Sequence, residues 1–450
     1  MDRKIIVAGA GHGGIVAAYY LALEGYDVTV YEKGKKGKLG LKQTDSVHLD
    51  GFELSGIPVP EDYKVVRTPI TFCVPGTDVE PISQVQSDDS YTVEIDRNAL
   101  YKHLITLAED AGAKFVYNCE IVKPLILGGR VAGIRTSKGD VYADMVIDAC
   151  GLYSPIRMNL PDFMNITKTP GAYEVLHTYR AYFNRLKSAK EPEFKYEVSL
   201  IPGENSGIMW VITHDKTVDV FLGFFNGIDE QRIADGLKVL RKDNPHMGQR
   251  LLKGGNIVDI PVRQPLAIMV ADGYAAVGDS AFMTIPVKGS GIGYSMRAGK
   301  LLADCIASDP DGIYDKETLW EYQSKFFEEI GFGACMLAVV KGLFPMLTMD
   351  DLEYALGGKI ISSEDFSMFG SEAGLGKIIT SLKASVIMDK AKKIVGFPDL
   401  RRLFSAIAKN VAKMKVIESR YKDVYTPENA DKWSKLYNSF FENMNEGEHE

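Results

Sequence analysis

Three glycines near the start of the chain, Gly9, Gly11 and Gly14, stand in the spacing G-x-G-x-x-G, and Glu32 follows 18 residues after the last of them. Glycines so spaced can bring backbone N–H groups against a pyrophosphate. Gly9 permits a tight turn, Gly11 keeps a Cβ out of the phosphates' way, and Gly14 lets a helix and a strand pack closely. Glu32 at that distance can take both hydroxyls of an adenosine ribose, and its charge repels a 2′-phosphate. His12, Gly13 and Lys33 lie beside these residues and are expected at the same ligand.

The elements around the motif give it meaning. Residues 5–8 are an apolar run that reads as a strand buried on both faces, residues 15–24 as a helix stopped by Gly25, and residues 27–31 as the next strand. The motif thus sits between a strand and a helix, with the acid at the end of the second strand. The free N–H groups of that helix start face the phosphates.

A second group lies between residues 273 and 304. A strand over 274–277 ends in Gly278-Asp279, and Pro286, Gly289, Gly291 and Gly293 lead into a helix that runs to about residue 307. A carboxylate at a strand end can accept from a ribityl hydroxyl. A glycine-rich helix start offers N–H groups to an anionic isoalloxazine edge. The two groups together point to FAD rather than NAD or FMN.

The 450 residues are enough for two or three domains, and 46% hydrophobic with 25% charged residues is an ordinary globular balance. The net charge of −8 argues against a nucleic-acid partner. With a strand beginning by residue 4 there is no signal-peptide pattern, and a cytoplasmic protein is expected. Cys73, Cys119, Cys150, Cys305 and Cys335 lie far apart, which speaks against a metal or iron–sulfur site.

Between the two groups the pattern changes several times. Residues 43–90, with five prolines from Pro58 to Pro81, read as an irregular insertion. Asp96 caps an expected helix that carries Leu100, Leu104, Leu107 and Ala111 on one face. Runs over 122–127 and 131–136 flank Gly128-Gly129 as a hairpin, and residues 145–149 read as a buried strand ending at Cys150-Gly151. Four β-branched and aromatic runs, 177–183, 196–201, 208–213 and 218–224, predict an antiparallel sheet, the floor of a substrate chamber.

With these residues in view, the chain resembles FAD-dependent oxidoreductases of the geranylgeranyl reductase type, in the p-hydroxybenzoate-hydroxylase-like superfamily. Three stretches carry the resemblance: Gly9, Gly11 and Gly14 with Glu32; Asp148-Ala149-Cys150-Gly151 with Ser154 and Arg157; and Gly278-Asp279 with Pro286, Gly289, Gly291 and Gly293. The resemblance implies an α/β fold with a Rossmann-like FAD-binding domain, an antiparallel β-sheet substrate domain and a helical C-terminal region. The expected boundaries are 1–65, 91–165 and 255–307 for the first, 66–90 and 166–254 for the second, and 308–450 for the third. It also implies that Arg97 reaches toward the flavin or pyrophosphate and that Gly151 belongs to the cofactor site.

Two departures matter. Cys150 stands where relatives often carry an aspartate, and it cannot accept hydrogen bonds as a carboxylate does; a small packing residue is the expectation. The family's Tyr-x-Trp-x-Phe-Pro strand is here Ile208-Met209-Trp210-Val211-Ile212-Thr213, which keeps only the tryptophan. Trp210 is either a wall of the chamber beside the flavin or a core residue. The substrate is left open among prenyl, lipid-like and polycyclic molecules.

The activity implied is reduction of a C=C bond in an apolar substrate by hydride from reduced flavin. The alternatives are an aromatic monooxygenase and a flavoprotein electron carrier to a quinone or membrane partner. NADPH, a reduced ferredoxin or another electron-donor protein would reduce the flavin. No catalytic residue is assigned; His12, His48, His177 and His214 are candidate acids by type alone. Residues 377–423 hold twelve Lys/Arg against four Asp/Glu, with Ile378, Ile379, Leu382, Val386, Leu403, Ile407, Val411 and Met414 at helical spacing. This stretch is either the outer face of a helical cap or a peripheral membrane contact.

Overall fold

A computed structural model of the chain describes residues 3–446, apart from 62, 67, 85–91, 172, 204, 288, 343–345, 359 and 364–391. The chain opens with β1 (Lys4–Ala8), α1 (His12–Leu23) and β2 (Asp27–Tyr31). The segment expected to be irregular contains β3 (Thr44–His48), α2 (Leu49–Ser55), β4 (Lys64–Val66), β5 (Thr71–Cys73) and β6 (Ile82–Ser83). These elements are too short to print a period on the sequence. β7 (Thr92–Asp96), α3 (Arg97–Asp110) and β8 (Lys114–Val116) come next. The Asp96 carboxylate caps α3, accepting from the Asn98 and Ala99 amides.

β9 (Ile121–Leu127), β10 (Arg130–Thr136), β11 (Gly139–Tyr142) and β12 (Met145–Asp148) follow. Beyond them lie β13 (Val175–Arg185), β14 (Tyr196–Ile201), β15 (Gly207–Thr213), β16 (Thr217–Phe224), α4 (Glu230–Asp243) and β17 (Met247–Pro261). β18 (Val270–Ala271), β19 (Tyr274–Ala276) and α5 (Ile292–Ala307) return to the first part of the fold. The chain then becomes helical, with α6 (Lys316–Phe326), α7 (Phe332–Gly342), α8 (Met349–Gly357), α9 (Pro398–Arg420) and α10 (Pro427–Glu446).

Six strands form one sheet in the order β18-β19-β12-β1-β2-β8. All its pairings are parallel except β18 with β19. β1 lies between two parallel partners, which is why its Ile5, Ile6, Val7 and Ala8 are all buried. β9, β10 and β11 make a small antiparallel sheet, and β3, β7 and β4 another.

The larger sheet has seven strands in the order β17-β13-β16-β15-β14-β5-β6, and is antiparallel except for the β5–β14 pair. β17 runs unbroken across the boundary expected at residue 254. β16 shows the two faces plainly. Val218, Val220, Leu222 and Phe224 pack with Leu237 and Leu240 of α4, while Phe221 turns to Leu176 and Val262 on the other face. Asp219, on the Phe221 side, is 1% exposed.

The largest hydrophobic cluster joins β1, α1 and α5 to α6 and α7 and reaches Val411, Met414, Trp433 and Phe441. The C-terminal helices therefore pack onto the parallel-sheet half, while α8 reaches the larger sheet through Leu352 and Leu356 against Val74, Ile82 and Leu200. In the basic stretch, Ile378, Ile379, Leu382 and Val386 lie outside the described residues. In α9, Leu403, Val411, Met414 and Ile417 are buried, so its apolar side is covered by protein and it packs as an outer cap helix. Among the described residues no helix is long and apolar enough to cross a membrane.

Candidate functional site

The first glycine turn rests on the end of β12. Gly9 has φ +84°, and a Cβ there would stand 2.6 Å from the Ala149 carbonyl oxygen. A Cβ at Gly14 would meet Ala149 Cβ at 2.5 Å and Val7 at 2.9 Å, which is the close helix–strand packing expected of it. Gly11 has a second constraint besides ligand approach, because its Cβ would lie 2.9 Å from the same Ala149 oxygen. Gly13, expected at the ligand, also seats α1 on α5: a Cβ would stand 2.5 Å from the Ser295 carbonyl oxygen. Glu32 spans the turn, accepting from Ala10 N at 2.9 Å and from Gly34 N at 2.6 Å. A carboxylate has room for further donors beyond these two. Lys33 is exposed, with its charge close enough to act on the Cys150 thiol.

Helix starts divide into two kinds. Asp96, Asp229, Asp315 and Thr348 cap α3, α4, α6 and α8 with their own side chains. α1 and α5 begin at Gly11 and Gly291, which supply no side-chain cap. α2 and α9 also lack a side-chain cap, at His48 and Phe397, but only α1 and α5 among these four begin at a glycine, where the first-turn amides are open to an anionic or polar ligand.

At the α5 end, Asp279 lies in a single 3-10 turn after β19 and accepts from the Thr284 hydroxyl at 2.7 Å. Burial pushes its carboxyl up, against the opposing pull of the Thr284 bond and of Arg97 and Arg157. The loop onward is tightly folded: the Ile285 amide donates to Ser290 O at 2.8 Å, and Gly289 takes φ +63°. Pro286 and Gly293 are buried in it, and a Cβ on Gly291 would lie 2.7 Å from Thr284 Oγ1. Gly151, with φ +87°, donates its amide to Ser280 Oγ at 2.8 Å, which ties the end of β12 to the Asp279 turn.

Between the two ends sits His12. Its ring packs on Tyr101 with centroids 4.5 Å apart. Burial and the Arg97 charge lower its pKa to about 4, with Asp45 opposing, so the imidazole is neutral at pH 7. Its Nε2 is buried with no hydrogen-bond partner among the described residues. Such an atom calls for a ligand partner.

Arg97 is already engaged. Its Nη2 donates to Asp45 Oδ1 at 2.8 Å and its Nε to the other oxygen. Asp45 also faces Arg180, which is bidentate on Asp219 at 2.6 and 3.1 Å. Burial opposes the charge on Asp45, but Arg97 and Arg180 hold its carboxyl below the ordinary range. The four charges form a ladder from α3 and β3 into the larger sheet. The sequence reading missed Asp45, Arg180 and Asp219; Asp45 and Val47 do alternate inward, but a carboxylate at an inward position masks the signal.

Trp210 lies at the far end of that ladder. It stacks on Phe221 at 3.8 Å, with the Arg180 guanidinium 5.5 Å from its ring, and its indole N–H is buried with no partner among the described residues. Cys150 donates its thiol to Ala8 O at 3.2 Å, and burial beside Asp148 pushes it far up, so it is a packing thiol. Asp148 is a hub that accepts from the Cys150 amide, Ser154, Tyr274 and Ser280. Arg157 is fully buried and donates to the carbonyls of Leu152, Lys168 and Ser280.

A cavity of about 570 Å³ opens beside the turn that Gly151 begins. Met158, Pro170, Tyr173, Val175 and Phe225 give it apolar walls, and Tyr153 and His177 stand among them. Trp210 is not one of its lining residues; the sheet supplies Val175, His177 and Phe225 instead. The α7 residue Lys341 donates to Tyr173 O at 2.7 Å, so a C-terminal helix is tied to one wall residue.

Two family models match the chain: an FAD dependent oxidoreductase over residues 87–305 and an NAD(P)-binding Rossmann-like domain over residues 7–55. The chain is 26% identical over 438 residues to a digeranylgeranylglycerophospholipid reductase of Sulfolobus acidocaldarius, covering 94% of each chain. It is 27% identical to one of Methanothrix thermoacetophila, covering 82% of this chain and 93% of that one. In structure it is similar to a geranylgeranyl bacteriochlorophyll reductase-like protein from Thermoplasma acidophilum, with a TM-score of 0.71 at 19% identity over 88% of this chain and all of that one.

Proposed function

We propose that this chain, similar to reductases of the geranylgeranyl type in sequence and in fold, is an FAD-dependent enzyme that reduces C=C bonds in a prenyl lipid. The observation that carries this reading is an apolar cavity on the same turn that closes a dinucleotide cradle. The names of relatives that match nearly end to end support it. The aromatic monooxygenase reading is the weaker one.

A bound FAD, once reduced by two electrons, would supply the hydride to one alkene carbon and return to its oxidised form. The uncapped first turns of α1 and α5 would hold its pyrophosphate and the polar edge of its ring. Glu32 would take the adenosine ribose with its remaining acceptor sites, and Asp279 the ribityl chain. His12, neutral and desolvated, would give its buried Nε2 to the cofactor. Arg97, fixed by Asp45, would add a positive charge without moving. Gly9, Gly11 and Gly151 would leave the backbone bare where the cofactor passes. The apolar side chains of the cavity, among them Met158, Val175 and Phe225, would pack on the stretch of prenyl chain that enters it, and a positioned donor would supply the proton to the other alkene carbon. NADPH or a reduced ferredoxin would serve as the electron source.

The test is anaerobic. Chemically reduced holoprotein mixed with a digeranylgeranylglycerol phospholipid should reoxidise, and the lipid should gain one H₂ for each double bond reduced. Reoxidation only by oxygen, with hydroxylation of an aromatic compound, would replace this reading with the monooxygenase one.

A further inference from the structure

We infer that the cavity beside Tyr153 seats the phosphate-bearing polar end of the lipid, with His177 as the residue that recognises it. This rests on the prenyl-lipid reading above and names the part of the substrate that this cavity takes. His177 and Asp259 face each other across the β13–β17 ladder, with Nδ1 2.8 Å from Asp259 Oδ1. The Tyr153 hydroxyl donates to the other oxygen of Asp259 at 2.7 Å. Asp259 therefore fixes Nδ1 as the protonated nitrogen and turns Nε2 away from itself, where it can bond a hydroxyl or oxygen of a phosphate.

The charge around the cavity agrees. Asp259 is hydrogen-bonded by both His177 and Tyr153. Glu174, next along the chain, pairs with Arg263 at 2.8 Å. Lys341 brings a further ammonium to the wall, 5.2 Å from the Phe225 ring and bonded to Tyr173 O. An apolar cavity with one oriented imidazole and one ammonium suits a phosphate monoester or diester on an apolar tail. Tyr153 is 53% exposed, so the cavity reaches solvent, where the polar end of a lipid belongs.

The test compares two substrates on FAD-loaded protein: a digeranylgeranylglyceryl phosphate and geranylgeraniol, which has no phosphate. His177→Ala should raise KM for the phosphate lipid roughly ten- to a hundredfold, with kcat little changed and geranylgeraniol unaffected. Lys341→Gln should act in the same direction, and His177→Gln should restore part of the loss. Equal effects on both lipids, or none, would overturn the assignment. Equilibrium binding of the same lipids gives a readout without turnover: if the wild type reduces neither, the prenyl-reductase reading fails, while selective loss of phosphate-lipid binding in His177→Ala upholds the site. Inorganic phosphate competing as well as the lipid would mark a free-anion site and overturn the headgroup assignment.

Discussion

The candidate cofactor cradle and the charge ladder beside it are built in opposite ways. The cradle is mostly backbone: glycines that permit close approach, uncapped helix starts, and one carboxylate at either end. The ladder is all side chain, with Arg97, Asp45, Arg180 and Asp219 brought together from α3, β3, β13 and β16. A site of the first kind tolerates no added atom. A site of the second kind tolerates no lost charge. Each can be broken by the change that the other would absorb.

The largest effect is expected in the ladder. Asp219→Ala leaves Arg180 buried without its bidentate partner and should cost about 3–5 kcal/mol of stability. Chemical denaturation measures it, and Arg180→Leu in the same chain should recover most of the loss. A cost under about 1 kcal/mol would mean that water reaches Arg180 and the ladder is not a buried one.

Next comes the cradle. Gly9→Ala places a Cβ 2.6 Å from the Ala149 oxygen at a left-handed φ and should cost about 2–4 kcal/mol. It should also yield protein that loses its flavin on gel filtration. Full yellow colour at wild-type stability would show that the turn can open. Asp279→Ala removes a single acceptor and should weaken FAD binding roughly ten- to a hundredfold. An unchanged dissociation constant would leave Asp279 a purely structural partner of Thr284.

The smallest effect is a pH dependence. The His12 pKa falls from 6.5 to about 4 on folding, so between these values the unfolded chain binds the extra proton. Stability from this group is full above pH 6.5 and declines as pH falls toward about 4. The loss at about pH 5.5 should be roughly 1 kcal/mol in the cofactor-free protein. His12→Gln should remove that part of the slope; identical pH profiles for the two proteins would mean that His12 is solvated.

The same contrast explains what could be read from the sequence. The turns of the candidate cradle were legible because G-x-G-x-x-G, Glu32 and the Gly278–Gly293 run are local patterns that depend on neighbours a few residues away. The sheet strands were legible because Val218, Val220, Leu222 and Phe224 alternate with a period of two. The ladder was not, since its partners are separated by up to 136 residues of chain in one contact, Arg180 to Thr44 O. The packing role of Gly13 was hidden for a related reason: its neighbour is Ser295, on a helix that no local pattern ties to it. Likewise Asp259 and Tyr153 look like surface residues until β17 lies against β13.

The crossing of α1 and α5 has a consequence for what the protein can accept. Gly13 faces Ser295, and a Cβ on Gly299 would run into the backbone of Gly13. The two uncapped helix starts are therefore clamped to each other at a fixed span, like the jaws of a gauge. A ligand that touches both starts is held by groups that cannot shift relative to one another.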